Sequence, residues 1–123
     1  MKLPATLKIN GFEWKVVESD AVSREGSVFG SCHYATQTIY IDPNTTDQKK
    51  KQCLLHEIMH AVAWQTGLSK RLKDDKLEEE IVTALSFGMY QVLADNGMLT
   101  GFDKEHPATG QQLQKPQNRI KKK

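Results

Sequence analysis

The stretch Cys53-Leu54-Leu55-His56-Glu57-Ile58-Met59-His60-Ala61-Val62-Ala63-Trp64 decides the fold. It is apolar on almost every side, and a helix that is hydrophobic all round is a buried one. His56, Glu57 and His60 alone interrupt it, so this polar trio is placed inside the protein or in a cleft. Upstream, Thr45 followed by Gln48 forms a capping-box pattern, and Lys49-Lys50-Lys51 make the first turns wet and basic. Downstream, Gly67 supplies the left-handed position that ends the helix.

Before this helix the periodicity is two. Leu7, Ile9, Phe12, Trp14 and Val16 alternate on either side of Asn10-Gly11, the dipeptide that best fits a tight hairpin turn. Residues 18–27 are polar enough to be a loop. Val28 to Tyr34 reads as a third strand, with Val28, Cys32 and Tyr34 on one face and Phe29 and His33 on the other. Gly30 within it signals a bulge or a close backbone approach. Thr38-Ile39-Tyr40-Ile41 is a β-rich fourth strand, closed by Asp42-Pro43-Asn44.

After a linker over residues 68–73, Asp74 or Asp75 starts a second long helix that runs through Leu93 and stops at Asp95-Asn96-Gly97. Leu77, Ile81, Val82, Leu85, Met89, Val92 and Leu93 give it one apolar stripe at helical spacing, expected to face the core. The predicted class is α+β: a small, antiparallel-rich four-strand sheet packed on two main helices. It forms a single domain over residues 1–103, followed by a flexible basic tail over residues 104–123.

A length of 123 residues fits one modest core. The net charge is +2, yet Lys115, Arg119, Lys121, Lys122 and Lys123 sit together after Gln111 with no acid among them. Without those five, 12 basic residues face 15 acids, so the body carries about −3 and the basicity belongs to the tail. The N-terminus has no signal-peptide core, and no run approaches the ~18 apolar residues of a membrane span. A cytoplasmic location is expected. Two cysteines, Cys32 and Cys53, suit reduced thiols better than a disulfide.

His56-Glu57-Ile58-Met59-His60 is an H-E-x-x-H motif. Histidines four apart on a helix lie one above the other and can share one tetrahedral metal, with Glu57 beside them as general base. Zinc suits such nitrogen donors. Left without a metal or partners, two imidazoles and a carboxylate in an apolar helix would be costly. A third histidine six residues after His60 is excluded, because that position is Thr66 and Ala63 stands where a glycine would be. The third ligand therefore comes from Glu78-Glu79-Glu80. Glu78 falls in the centre of the apolar stripe, Glu79 on its edge below Thr83 and Ser86, and Glu80 points mostly away. The edge suits a ligand that needs polar neighbours, which selects Glu79, with Glu80 and Glu78 behind it. An acidic first turn favoured by the helix dipole accounts for the remainder of the triplet.

With H-E-x-x-H on one helix and a glutamate on the next, the chain resembles the gluzincin metallopeptidases. More narrowly, it resembles the ImmA/IrrE-type enzymes and small phage- and prophage-encoded relatives. The resemblance runs from Ile39 to Asn96 through Thr38-Ile39-Tyr40-Ile41-Asp42, Leu54 to Ala61, Glu79-Glu80-Ile81-Val82 and Gly88 to Leu93. The Glu-Ala-Asn sequence usual on the third-ligand helix of ImmA-like chains is missing. The resemblance implies a minimal zincin-like fold, zinc on His56, His60 and Glu79, and Glu57 as general base. It also implies a substrate peptide bound as an added strand, for which Val28 to Tyr34 is the candidate edge, with His33 or Tyr34 as oxyanion donor.

The expected function is thus a zinc metallopeptidase, narrow in its protein or peptide substrate. The alternative is a zinc-binding phage accessory protein that acts by protein–protein interaction, against which Glu57 argues, since structure needs only the ligands. Nucleic acid would concern the tail alone, where no aromatics interleave the charges. Tyr90 is expected to be a boundary aromatic, Cys53 a buried thiol, and His106 a tail residue without a role.

Overall fold

The computed structural model describes residues 3–20 and 29–100. Val28, the 104–123 tail, its basic residues and His106 lie outside them. The elements are β1 (Thr6–Ile9), β2 (Phe12–Glu18), β3 (Gly30–His33), β4 (Thr38–Ile41), α1 (Asp47–Gln65), α2 (Leu68–Leu72) and α3 (Asp75–Asp95). The class is α+β, as the sequence indicates. The expected 68–73 linker contains the one-turn helix α2.

β1 and β2 join through Asn10 (φ 52°) and Gly11 (φ 87°), the pair of positive φ angles that a two-residue type I′ turn requires. The sheet order is β1-β2-β4-β3, antiparallel at both outer pairings and parallel between β2 and β4. β3 is therefore an edge among the described strands. In register, Val16 pairs with Ile39. These two, with Trp14 and Ile41, form a buried apolar surface against Cys53, Leu54 and Ala61 of α1. Full burial of each large apolar side chain contributes about 1.5–3 kcal/mol. The Trp14 indole donates to Gln65 Oε1 (2.7 Å), and Gln65 Nε2 donates to the Ile9 carbonyl (2.8 Å), which ties the end of α1 to the hairpin.

The N-cap of α1 is Thr46, one residue beyond the expected Thr45. Its hydroxyl accepts from the Lys49 amide (3.1 Å). Adjacent threonines are chemically equivalent as caps. The choice is set upstream, where Asp42 Oδ1 accepts from the Asn44 amide (2.9 Å) and turns the chain at Pro43. At the other end Gly67 takes φ 84°, as expected.

α1 is the middle tier of the molecule, with the sheet on one side and α3 on the other. That position explains why its sequence is apolar nearly all round, except in the last turns, where Val62 and Trp64 are exposed. α3 makes its main contacts with helices, above all with α1. Its expected core-facing stripe is a correction: Val82 is buried and Ile81 and Leu93 are half-buried, but Leu77, Leu85, Met89 and Val92 are exposed. The face turned to α1 carries Glu78, Val82 and Ser86. A helix with one neighbouring layer buries one narrow side, and here the polar contacts set the rotation. Asp74 caps α3 by accepting from the Leu77 amide (3.0 Å). No helix among the described residues is long and apolar enough to cross a membrane.

Candidate metal centre

A cleft of about 530 Å³ opens over α1, between β3 and α3. His56, Glu57 and His60 reach it from α1, Gly30, Cys32 and Tyr34 from the β3 side, and Glu79 and Thr83 from α3. His56 and His60 stand one turn apart with ring centres 4.9 Å from each other.

Their Nε2 atoms meet the Glu79 carboxylate. His60 Nε2 is 2.8 Å from Oε1 and His56 Nε2 is 3.3 Å from Oε2. Thr83, one turn along α3, steadies the carboxylate by donating to Oε2 (3.2 Å). One ligand atom from each of the three residues lies within 4.8 Å of the others, so the group could hold a metal ion.

The opposite ring nitrogens are each occupied. His60 Nδ1 is 2.7 Å from Glu78 Oε2, a carboxylate buried at the α1–α3 contact. His56 Nδ1 is 3.4 Å from Ser86 Oγ. The Ser86 hydroxyl donates to the Thr83 carbonyl (3.2 Å), leaving its lone pairs to accept from His56 Nδ1–H and from Gln52 Nε2 (3.3 Å). These partners place a proton on Nδ1 of each ring and leave Nε2 as the nitrogen that faces the cleft. Outer partners of this kind orient metal-binding histidines and raise their basicity.

Glu57 is buried beside the group and, among the described residues, makes no hydrogen bond. Burial pushes its carboxyl up to about 7, against the opposing pull of His60. Burial lowers His56, partly offset by Glu79. Burial would lower His60 too, but its hydrogen bonds to Glu78 and Glu79 and the charge of Glu57 outweigh it and hold the imidazolium. Burial alone would raise Glu79, yet its bond to His60, the charges of His56 and His60 and the Thr83 hydroxyl together leave it below the usual carboxylate range. Burial also takes Cys32 up to about 12 and Cys53 up to about 11, so both free thiols stay protonated and are poor metal ligands.

A metal must displace the proton that His60 shares with Glu79, so its binding is expected to release protons and weaken as pH falls. The sign follows from the raised His60: its ionic contacts stabilise the metal-free fold below the free-imidazole value of 6.5 and are lost as pH rises through the higher folded value. Calorimetry of zinc binding at pH 7, in buffers of different ionisation enthalpy, should show net proton release. Heats independent of the buffer would contradict this arrangement.

Gly30 is the close approach that the strand pattern signals. A Cβ there would stand 3.3 Å from Glu57 Cγ, from Glu57 Oε2 and from the Tyr40 carbonyl. Gly30→Ala should therefore crowd Glu57 against a rigid backbone and cost about 1–2 kcal/mol in chemical denaturation. Zinc affinity should hold within about threefold, because the three-residue group lies off that contact. An equal loss of metal affinity would show that β3 supports the ligands rather than Glu57.

Other anticipated residues fall elsewhere. Glu80 is exposed and outside the cleft. Tyr34 lines the cleft, whereas His33 is turned to solvent, edge-on to Tyr40 (4.8 Å) and 3.2 Å from Ser31 Oγ. Tyr90 borders an adjoining groove between the start of α1 and α3, and Cys53 is buried under the cleft. The outer partners Glu78, Ser86 and Gln52 were not anticipated in those roles. Their signal was the helical phase below Glu79, which places Ser86 one turn beyond Thr83.

No protein-family model, curated protein or solved structure matches this chain.

Proposed function

We propose that this chain is a zinc-dependent peptidase, with His56, His60 and Glu79 as the metal ligands and Glu57 as general base. The observation that carries the reading is the convergence of two oriented Nε2 atoms and one carboxylate beside a buried glutamate with no described partner, in a cleft bordered by an edge strand. Two imidazoles and a carboxylate are a donor set of catalytic zinc, which takes three protein ligands and leaves a position open. Ligand atoms about 2.0–2.1 Å from a tetrahedral ion stand about 3.3 Å apart. The His56 Nε2–Glu79 Oε2 separation of 3.3 Å has that value; His60 Nε2 meets the other carboxylate oxygen, and with one donor atom from each residue the three lie within 4.8 Å of one another, so the set has to draw together around a tetrahedral ion.

Zinc, when bound, supplies a Lewis acid that polarises a peptide carbonyl and makes water more acidic. Glu57 takes the proton from the attacking water and passes it to the leaving amine. A carboxyl raised to about 7 is matched to a group that must both accept and release a proton near neutrality. Ser86 and Glu78 hold the two rings in place. β3, an edge among the described strands, offers backbone groups to an extended peptide. The Tyr34 hydroxyl, raised by burial and therefore protonated, is the candidate donor to a developing oxyanion, in place of His33. The resemblance to ImmA/IrrE-type and phage-encoded metallopeptidases agrees with this reading and with a cytoplasmic, narrow-substrate enzyme.

A second reading is a metal-bound accessory protein that works by docking. It is favoured by the exposed Leu77, Leu85, Met89 and Val92 on α3. The deciding experiment incubates zinc-loaded protein with a degenerate peptide library and reads new termini by mass spectrometry. Cleavage that disappears on chelation and returns with zinc supports the peptidase; stoichiometric zinc with no cleavage supports docking.

A further inference from the structure

The three consecutive lysines that open α1 do not share one environment. Lys50, itself half-buried, is paired, its Nζ 2.9 Å from Glu18 Oε1. Lys49 is half-buried and reaches over the cleft, its Nζ 5.1 Å from the Phe29 ring centre and 5.6 Å from that of Phe87. The rings belong to opposite walls, Phe29 beside β3 and Phe87 on α3, and they hold the ammonium between them by cation–π attraction. Among the described residues Lys49 has no carboxylate partner, and no other lysine or arginine among them lines the cleft.

Its position relative to the histidines follows from helix geometry. Lys49 and His56 are seven residues apart on α1, on one face and about 10 Å apart along the axis. β3 runs alongside in the same direction: Phe29 lies at Lys49, Gly30 against Glu57, and Tyr34 stacks on Trp64 (5.0 Å), one turn past His60. An extended chain covers about 10 Å in three residues. A peptide lying along this edge with its reacting carbonyl at His56 and His60 thus brings its third residue over Lys49. Aromatic faces leave the ammonium its hydrogen-bond donors, and a carboxylate satisfies them with charge. The rest of the cleft, with Glu57 and Glu79, offers a carboxylate no such place.

We propose that Lys49, held between Phe29 and Phe87, binds a carboxylate of the substrate peptide about three residues from the bond that is cut. The inference rests on the peptidase reading, and it names the substrate class: peptides with either an acidic side chain or a free C-terminus at that distance.

The test uses the zinc-loaded full chain and tripeptides that carry a zinc-binding hydroxamate at one end, made in both orientations. The third residue is Glu or Gln with the far end blocked, or, behind an N-terminal hydroxamate, Ala with the far end as free carboxylate or amide. By calorimetry, a carboxylate-bearing form should bind about tenfold more tightly than its neutral counterpart. Which form gains identifies side chain or terminus as the source. Lys49→Arg should keep the gain, Lys49→Gln should bring the ratio to one, and Lys49→Glu should invert it. Equal affinities across the set, or a gain that survives Lys49→Gln, overturn the inference while the metal reading stands on hydroxamate binding. Failure of every hydroxamate to bind overturns both.

Discussion

Glu57→Gln is expected to bind zinc within about threefold of the parent and to hydrolyse peptides about 10³-fold more slowly. Glutamine keeps the size and polarity of the side chain but cannot take a proton, so the loss belongs to kcat. The same substitution has a second effect that needs neither metal nor substrate. The folded carboxyl is raised by burial from 4.5 to about 7, so its favourable contribution is complete below pH 4.5 and disappears as pH rises through 7. At pH 8 the metal-free variant should therefore be more stable than the parent by on the order of 3 kcal/mol. At pH 4 the two should unfold together. Denaturant titrations at both values check this. A variant that is no more stable at pH 8 would mean that Glu57 is better solvated than its burial indicates, and unchanged hydrolysis would remove it as general base.

His60→Ala should do the most damage. It removes one metal ligand and also strips Glu78 of the imidazole that faces its buried carboxylate. Zinc affinity should fall by more than about 100-fold, beyond the loss typical of an outer partner. The metal-free protein should lose about 3 kcal/mol near pH 6, because breaking a buried pair leaves one charge without its counterpart. Glu78→Gln separates the two roles: zinc stays bound, about tenfold more weakly, because an amide carbonyl still accepts from Nδ1–H but without charge. Competition against a chromophoric chelator gives both affinities. If Glu78→Gln binds zinc as the parent does, Glu78 does not orient His60.

The strands and α1 were legible because each carries a local signal that tertiary structure did not overrule. Asn10-Gly11 favours one kind of turn, and the run from Cys53 to Ala61 is apolar enough to be buried or half-buried along its whole length. The pairing of His56 with His60 follows from helix pitch alone, and the choice of Glu79 from its place between an apolar stripe and a polar one. α3 was misjudged for the opposite reason. Hydrophobic periodicity reports which side of a helix avoids water, and it assumes that something apolar stands opposite. Here α1 presents histidines to α3, so Glu78 and Ser86 turn inward while Leu85 and Val92 face out. His33 failed because strand alternation sends it away from the face shared by Cys32 and Tyr34. The roles of Ser86, Gln52 and Lys49 depend on distances across elements that no one-dimensional pattern encodes.

α3 contributes Glu79, and its main contacts are with α1 and α2. Its docking seam is largely the same set of polar groups that would surround a metal. If the site takes zinc as proposed, its occupancy and the attachment of this helix are one linked equilibrium, in which the ion would act as a clasp for an outer layer that has little apolar glue of its own. The local concentration of free zinc would set how firmly the wall of the cleft is closed, and with it how much of the chain presents a formed site.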